Sequence, residues 1–525
     1  MTLKSNSGGR KAAMHERSLK SEQSDEPILP AKLANAAVTP AESVEGRGEA
    51  NGKLVESDAV RAQDRSAALA RLRRVGERAT KDKETKFNNL LTLICVPLLR
   101  EAYEGLRKDA ASGVDGMTWR EYGEELEARL ADLNDRIHRG GYRAPPVRRV
   151  YIPKADGRRR PLGIPALEDK IVQLAVKWIL ESIYEPAFMG FSYGFRAERN
   201  QHAALDALAV AIGKKVSWVL DGDIQAFFDT VDHAWMNKFL EHRIADRRMV
   251  RLLMKWLRAG VMEDGKLHDV EEGTPQGGIV SPVLANIYLH YVLDLWADSW
   301  RKKHAHGETY IVRYADDFVM CFQHAKDAHA MRKALADRLA KFGLALHPEK
   351  TRVIRFGRFA LDDCKRDGRR RPETFDFLGF THIIGRSRAG ASMLMRRTSR
   401  KKRQAKMRAL LSEIHRRKHW RVRDQQRWLN AVLRGHYNYY GVPTNIRALQ
   451  SFRRDIENAW HRSLQRRSQR ARWTRAQRRT FQEKRPLLPA KIYHPWPSER
   501  FAIRQPKVGA RCGKSARRAL SGGRD

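Results

Sequence analysis

The segment YIVRYADDFVM at residues 310–320 places the strongest constraint on the fold of this chain. Two short apolar stretches meet at the adjacent acids Asp316 and Asp317, which predicts a β-hairpin with carboxylates at its tip. A two-residue hairpin loop favours Asn or Gly because its central residues have positive φ. Two adjacent Asp residues adopt that conformation less readily. An isolated Asp-Asp pair is ordinarily a solvated surface turn. Here the surrounding segments favour a chemical role.

The segments around the hairpin predict an α+β domain. LEDKIVQLAVKWILESIYEP (167–186) has apolar residues at helical spacing and ends at a proline, and VSWVLDGDI (216–224) alternates as a strand does. After the hairpin, AMRKALADRLAKFG (330–343) has one apolar stripe and a terminal glycine, which predicts another helix. Earlier in the chain, FNNLLTLICVPLLREAYEGLRK (87–108) is typical of a buried helix. The order of strand, helical insert, hairpin, helix and strand is that of an α+β palm.

The charge of the chain indicates the class of its partner. With 102 Lys and Arg against 61 Asp and Glu, the formal net charge of +41 exceeds what solubility requires and favours a nucleic acid. From Gly385 onward, 39 basic residues face 7 acidic ones, a net +32. The arginine-rich segment 461–479 is predicted to bind structured RNA. The candidate contacts are Arg466, Arg467, Arg470 and Arg472.

The aromatic residues of this basic region allow two interpretations. In WLNAVLRGHYNYYGVPTNIRALQSF (428–452) they alternate with arginines, as in surfaces that stack bases and pair phosphates. Packing in a helical core explains most of Trp428, Leu429, Tyr439 and Tyr440 equally well.

Four regions are expected along the chain. Residues 1–80 lack periodic apolar positions and are predicted to be a flexible extension, and residues 81–385 are expected to form the domain that contains the α+β palm. Residues 386–497 form a helical, RNA-binding domain, followed by a basic tail over 498–525.

Composition also argues against several classes of protein. The four cysteines are scattered, without a C-x-x-C pair for zinc or redox chemistry. The longest apolar run, LLTLICVPLL (90–99), is about half of a membrane span, and the N-terminus has no apolar signal core. A cytoplasmic, nucleoid-associated protein without a membrane partner is therefore expected.

The acids suggest metal-dependent chemistry. If Asp223, at the end of a predicted strand, lies beside Asp316, two carboxylates from separate strands can share a pair of Mg²⁺ ions. Such a pair lowers the pKa of a primer 3′-hydroxyl and stabilises the leaving pyrophosphate during in-line transfer.

Seven blocks of sequence, in order, resemble the bacterial group II intron reverse transcriptase/maturase family over about residues 86–497. They are VYIPKADGRRRPLGIP (150–165), FSYGFR (191–196), DGDIQAFFDTVDH (221–233), GTPQGGIVSPVLANIYL (273–289), YADD (314–317), LHPEKT (346–351) and FDFLGF (375–380). LLPAKIYHPWP (487–497) is similar to a further motif near the end of that family's helical domain. The resemblance implies a right-hand polymerase fold, with fingers and palm followed by an α-helical thumb and maturase domain.

The resemblance also implies the roles of individual residues. Asp223, Asp316 and Asp317 are the catalytic acids, and Asp223, Asp316 and the carbonyl of Ile224 hold two Mg²⁺. Phe228 is in the position that excludes ribonucleotides, although a place in the core remains open for it. Lys154 and Arg160 contact the triphosphate, and Gln276 and Gly277 lie under the nascent base pair. For Lys350, a contact with the primer or phosphates and an ordinary surface lysine remain equally open.

The function implied is an RNA-directed DNA polymerase that binds group II intron RNA, promotes its splicing and copies it during retrohoming. Its partners are then intron RNA, an RNA template with a DNA primer, dNTPs and target DNA. About 28 residues follow Pro497 without paired C-x-x-C motifs, so a form lacking the H-N-H endonuclease is expected. Two alternatives remain: a reverse transcriptase recruited to defence or repair, and a maturase that only assists splicing.

Overall fold

The computed structural model describes residues 52–153, 159–263, 266–268, 273, 277–387, 389–467 and 473–499. Its strands are β1 (Val147–Pro153), β2 (Arg159–Ile164), β3 (Trp218–Asp223), β4 (Val261–Glu263), β5 (Lys266–His268), β6 (Thr309–Tyr314), β7 (Asp317–Phe322), β8 (Arg352–Arg355), β9 (Phe375–Phe377), β10 (Phe380–Arg386) and β11 (Ser392–Thr398). Its α-helices are α1 (Gly52–Lys81), α2 (Val96–Gly105), α3 (Trp119–Gly123), α4 (Leu126–His138), α5 (Leu167–Tyr184), α6 (Gln201–Ile212), α7 (His233–Arg243), α8 (Arg247–Leu257), α9 (Ser281–Leu289), α10 (Leu295–His304), α11 (Ala325–Ala340), α12 (Ala360–Arg366), α13 (Arg400–Arg416), α14 (Val422–Tyr440), α15 (Ile446–Gln465) and α16 (Arg475–Lys484).

The palm is an antiparallel sheet of order β6-β7-β3-β8 that is covered on both faces. Leu220 and Met320 point into a core shared with α11, whereas Val219 and Val319 point into a second core shared with α6. All four side chains are fully buried. Burial of both faces explains why these strands are apolar almost throughout. The predicted α+β architecture is confirmed.

The β6–β7 hairpin turns one residue earlier than its sequence suggests. Tyr314 pairs with Asp317, so the two-residue loop consists of Ala315 and Asp316. Ala315 has a φ of 58°, a left-handed conformation that costs an L-residue roughly 1–2 kcal/mol. Asp317 is therefore the first residue of β7 and not part of the turn.

The fingers contain a second sheet, of order β2-β1-β4-β5, and the chain continues from β2 into the buried helix α5. The β1–β2 hairpin is antiparallel, and Arg160 pairs with Ile152. The predicted helix over 87–108 is shorter than expected. Residues Leu90–Leu93 form a 3₁₀ turn, and α2 starts only at Val96 because Pro97 is accommodated in the first helical turn.

The prediction of a flexible extension over residues 1–80 is wrong for its last part. Gly52–Lys81 is a helix that packs against α2 and α5. Ala68, Leu72 and Ala79 are buried in the main core. These three side chains form a narrow apolar stripe, which is a weak periodic pattern in the sequence. The stripe stabilises the helix only when α5 covers it. The part of the prediction before residue 52 lies outside the described residues.

The helical C-terminal region starts later than the predicted boundary at residue 386. Strand β11 pairs along the whole of β10, in a three-stranded sheet with β9, and the helices begin at Arg400. Helices α13–α15 enclose their own core, which contains Leu429, Tyr437 and Trp460. The predicted tail over 498–525 lies outside the described residues from residue 500 onward.

Within the described part of the chain, no helix is both long and apolar enough to span a membrane. The long buried helix α5 illustrates this, because it carries charged residues in its first turn, among them Glu168 and Asp169.

Candidate active site

The sheet brings two of the predicted catalytic acids side by side. In the antiparallel pairing of β3 with β7, Asp223 is directly opposite Asp317. Side chains of such partners lie about 5 Å apart at Cβ, on the same face of the sheet. Asp316 is next to them in the hairpin loop. Three carboxylates therefore meet at one end of the palm sheet.

The neighbours of Asp317 oppose its ionisation. Desolvation, followed by the charges of Asp316 and Asp223, raises the pKa of the Asp317 carboxyl, while Lys350 acts in the opposite direction. The side chain of Asp317, at the start of β7, is exposed, and Asp223 is buried. This accumulation of negative charge is unfavourable unless cations compensate it.

Lys350 supplies one such cation. Its ammonium group donates to Oδ2 of Asp223 across the site. The turn that carries Lys350 is fixed to the end of β3, because the amide of His347 donates to the carbonyl of Asp223 at 2.8 Å. Lys350 is thus part of the acidic cluster, and a contact with a primer or phosphate remains a prediction.

Ile224 follows Asp223 at the same strand end. Its side chain is buried in the core, and its backbone forms an isolated bridge with Leu346. The amide of Gln225 donates to the carbonyl of Ala345 at 2.9 Å. These contacts hold the backbone at residue 224 firmly beside the acids.

Phe228 lies in a tight turn a few residues further along the chain. Residues Phe227–Asp229 form a 3₁₀ turn after Ala226, whose φ is 46°. Phe227 is buried, and Phe228 packs edge-on against it with ring centroids 5.4 Å apart, partly exposed. An extended segment would place the two rings on opposite sides, but the turn brings both against the same core.

Gly277, in the segment before α9, contacts strand β2 of the fingers. Its φ is 125°, and a Cβ built there would lie 2.2 Å from the carbonyl oxygen of Gly163 in β2. Glycine is therefore required for close packing at this point. The amide of Ile279 donates to Oε1 of Gln173 at 2.8 Å, which ties the same loop to α5.

The remaining predicted site residues are elsewhere or outside the described part of the chain. Arg466 and Arg467 are exposed just after α15, and Arg467 donates to the carbonyl of Trp420 at 2.6 Å. Lys154, Gln276, Arg470, Arg472 and the side chain of Arg160 lie outside the described residues. Of the aromatic candidates in the helical region, Leu429 is fully buried and Tyr439 stacks on Phe380, as core packing requires.

Sequence reasoning missed the polar network behind the hairpin. Arg313 in β6 is fully buried and forms a two-pronged ion pair with Asp294. Its guanidinium also donates to the carbonyl of Ala315 at 3.0 Å, to Asn286 and to Ser192. One feature of the sequence indicates this network: Arg313 lies inside an apolar strand. A buried arginine needs several hydrogen-bond acceptors around it.

The acids fit a divalent metal without forming a complete cage. In the described part of the chain, no group of three His, Cys, Asp or Glu side chains is arranged to hold a metal alone. Mg²⁺ is commonly held by one or two carboxylates, with water and substrate phosphates as further ligands. The raised pKa of Asp317 and the lysine on Asp223 show that this cluster favours a cation.

Comparison with known proteins identifies the class. Residues 152–382 match the reverse transcriptase family, described as RNA-dependent DNA polymerases. Protein YkfC of Escherichia coli K12 is 35% identical over 355 residues, which cover 61% of this chain and 89% of that protein. The group II intron-encoded protein LtrA of Lactococcus lactis is 38% identical over 220 residues, 41% of this chain and 37% of LtrA. An uncharacterised 91 kDa protein in the cob intron of Schizosaccharomyces pombe is 44% identical over 145 residues, 28% and 18% of the two chains.

The fold is thus that of a reverse transcriptase. The chain belongs to the group II intron-encoded reverse transcriptase and maturase family. The predictions of family, of fold and of RNA-directed DNA polymerase activity are therefore confirmed. Enzymes of this family use divalent metal ions. The chain spans most of YkfC but little more than a third of LtrA.

Proposed function

We propose that this reverse transcriptase copies RNA into DNA at Asp223, Asp316 and Asp317 with two Mg²⁺ ions. We propose further that it binds group II intron RNA, promotes its splicing and makes cDNA from it on target DNA during retrohoming. The pairing of Asp223 with Asp317 beside the Asp316 loop carries the first part. The family relationship and the basic helical region support the second.

In this mechanism Asp223 and Asp316 are the metal ligands, with the backbone carbonyl of Ile224 beside them. Bound Mg²⁺ supplies activation of the primer 3′-hydroxyl and stabilisation of the charge that develops on the pyrophosphate. The protein contributes fixed geometry: paired strands hold Asp223, and the buried network of Arg313 holds the Asp316 loop through the carbonyl of Ala315. Asp317 stays close to the metals as a third acid whose protonation is sensitive to its neighbours.

Lys350 is proposed to turn towards the primer end or a phosphate of the bound substrate while it stays beside Asp317. A partly exposed lysine side chain can move in this way because its stem is flexible. The triphosphate of the dNTP is proposed to contact Lys154 and Arg160.

Sugar selection and base-pair placement are proposed for the loops between palm and fingers. The ring of Phe228 lies under the incoming sugar and excludes a 2′-hydroxyl. Gly273 packs on the backbone of this turn, since a Cβ there would lie 2.8 Å from the carbonyl oxygen of Phe228. Gln276 and Gly277, which follow in the sequence, are proposed to lie beneath the nascent pair.

Primer extension on poly(rA)/oligo(dT) with Mg²⁺ tests the polymerase site. Asp316→Ala and Asp223→Ala are expected to abolish incorporation, with unchanged thermal unfolding. Asp337→Ala removes an exposed acid on α11 and is the matched control, expected to incorporate at the wild-type rate. Equal incorporation by wild type and Asp316→Ala would refute the assignment.

Filter binding of the intron RNA tests the RNA-binding part. Replacement of Arg466, Arg467, Arg470 and Arg472 by Gln is expected to weaken binding and to flatten its salt dependence, because each phosphate contact that is lost releases fewer counterions. Extension of a preformed short duplex by the same variant reports the polymerase separately. Unchanged affinity and slope would contradict the assignment. A splicing assay with the precursor RNA, with and without protein, decides the maturase role.

A further inference from the structure

A large groove lies outside the polymerase site, between the fingers and the two helices that follow β3. It has a volume of about 1160 Å³ and is lined by α7, α8 and the segments just before β1 and β4. Its apolar lining includes Ala144, Pro146, Val250 and Met254. Nothing in the proposed polymerase mechanism uses this groove.

One wall of the groove is a row of cations at helical spacing. Arg247, Arg251, Lys255 and Arg258 follow one another along one face of α8 and its C-terminal end, and Arg143 faces them from the segment before β1. All five are exposed. The only acid among the lining residues that the structure describes is Glu241.

The cations of this row are not compensated by nearby acids. Lys255 donates to the backbone carbonyl of Tyr142 at 2.6 Å, and Asp246 is already committed to Arg248 and the first turn of α8. In the part of the chain that the structure describes, Arg247, Arg251 and Arg258 have no ion pair or hydrogen bond from their side chains. Like charges four residues apart destabilise a helix, so a merely solvated face would favour interspersed acids. A bound polyanion removes this cost.

The position of the groove allows it to be occupied during polymerisation. Strand β1 begins at Val147, directly after the lining residue Pro146, and ends at Pro153. Its seven residues span about 20 Å. The groove therefore lies at the start of β1, and no proposed active-site residue lines it.

We propose that this groove is a second RNA-binding site, which seats a single-stranded segment of the RNA bound by the enzyme. The side chains at 247, 251 and 255 are about 6 Å apart along the helix, comparable to the spacing of successive phosphates in an extended strand. Phosphates pair with these cations, and bases and sugars pack on the apolar lining. This inference rests on the proposed function for the identity of the RNA as intron RNA.

Fluorescence anisotropy with poly(U) RNA over a salt series tests this site in the full chain. The variant Arg247→Gln/Arg251→Gln/Arg258→Gln is expected to bind more weakly. The slope of log K against log salt concentration is expected to become shallower by about 2. Each of the three lost phosphate contacts on a single strand contributes about 0.7 to that slope. The matched control, Lys365→Gln/Arg370→Gln/Arg371→Gln, removes three exposed cations elsewhere on the palm and is expected to keep the wild-type slope.

Three results would overturn the proposal. The first is an unchanged slope in the Arg247, Arg251 and Arg258 variant, and the second is an equal change of slope in the control variant. The third is a loss of binding to polyglutamate without a loss of binding to poly(U), which would indicate an acidic protein partner. Failure of the proposed polymerase function is a separate result, since it is seen as absence of RNA-templated primer extension by the wild-type protein. Thermal unfolding of the variant verifies its fold, because removal of like charges does not destabilise α8.

Discussion

Arg313 and Asp294 form an ion pair in which both side chains are fully buried, with contacts of 2.7 and 2.6 Å between guanidinium and carboxylate. Arg313 comes from the strand before the loop of Ala315 and Asp316, and Asp294 from the helical segment between α9 and α10. The pair couples that segment to the hairpin, and a further bond from Arg313 reaches the carbonyl of Ala315. The position of Asp316 thus depends on a buried charge pair behind it.

Asp294→Asn is expected to destabilise the protein by about 3–5 kcal/mol, because it leaves a buried arginine without its counter-charge. The double variant Asp294→Leu/Arg313→Met is expected to lose less than the sum of its single variants, since it removes both charges together. Urea unfolding measures both. Asp135→Asn breaks an exposed pair with Arg139 and should cost less than about 1 kcal/mol. Additive losses in the double variant would show that the two residues are not coupled.

Lys350→Met is expected to shift the acid limb of the pH–rate profile to higher pH. Lys350 lowers the pKa of Asp317, so its removal raises that pKa, and the ionised carboxylate forms only at higher pH. The measurement is the rate of single-turnover primer extension against pH at saturating Mg²⁺. Lys341→Met, at an exposed position after α11, is the control and is expected to leave the acid limb unchanged. A limb that stays in place, or moves to lower pH, would contradict the assigned coupling.

Phe228→Ala is expected to admit ribonucleotides more readily, because it removes the ring that is proposed to exclude the 2′-hydroxyl. Single-nucleotide incorporation of dNTPs and rNTPs measures the ratio. Phe227→Ala is the matched control: it removes the neighbouring buried ring and should cost about 3–5 kcal/mol of stability without altering sugar selection. If the ratio of the Phe228 variant equals that of wild type, this residue is not the gate.

Gly277→Ala is expected to lower the rate of extension, because its Cβ collides with the carbonyl of Gly163 and its φ of 125° is unfavourable for alanine. Gly390→Ala separates the two causes: Gly390 also has a positive φ, 80°, but no atom lies near its Cβ position. Steady-state kinetics and thermal unfolding compare both variants. A similar effect in the two would assign the loss to backbone strain rather than to contact with the fingers.

The sequence determined the parts of this protein that depend on local pattern. Alternation of apolar residues predicted β3 and the hairpin strands, and the stripe ending at Gly343 predicted α11. These segments have strong periodicity, and local side-chain geometry suffices to define them. The order of motifs then predicted the family, which the comparisons confirmed.

Only the tertiary structure decided how the acids meet and what supports them. Strand register sets Asp223 opposite Asp317, and a shift of one residue would turn either side chain to the other face. The buried network of Arg313, the packing of α1 on α5 and the cationic groove along α8 all depend on residues distant in sequence. Periodicity reports which side of an element is apolar, but not which partner covers it. Partners are selected by the packing of the whole chain, because burial and charge compensation are gained only when the elements assemble.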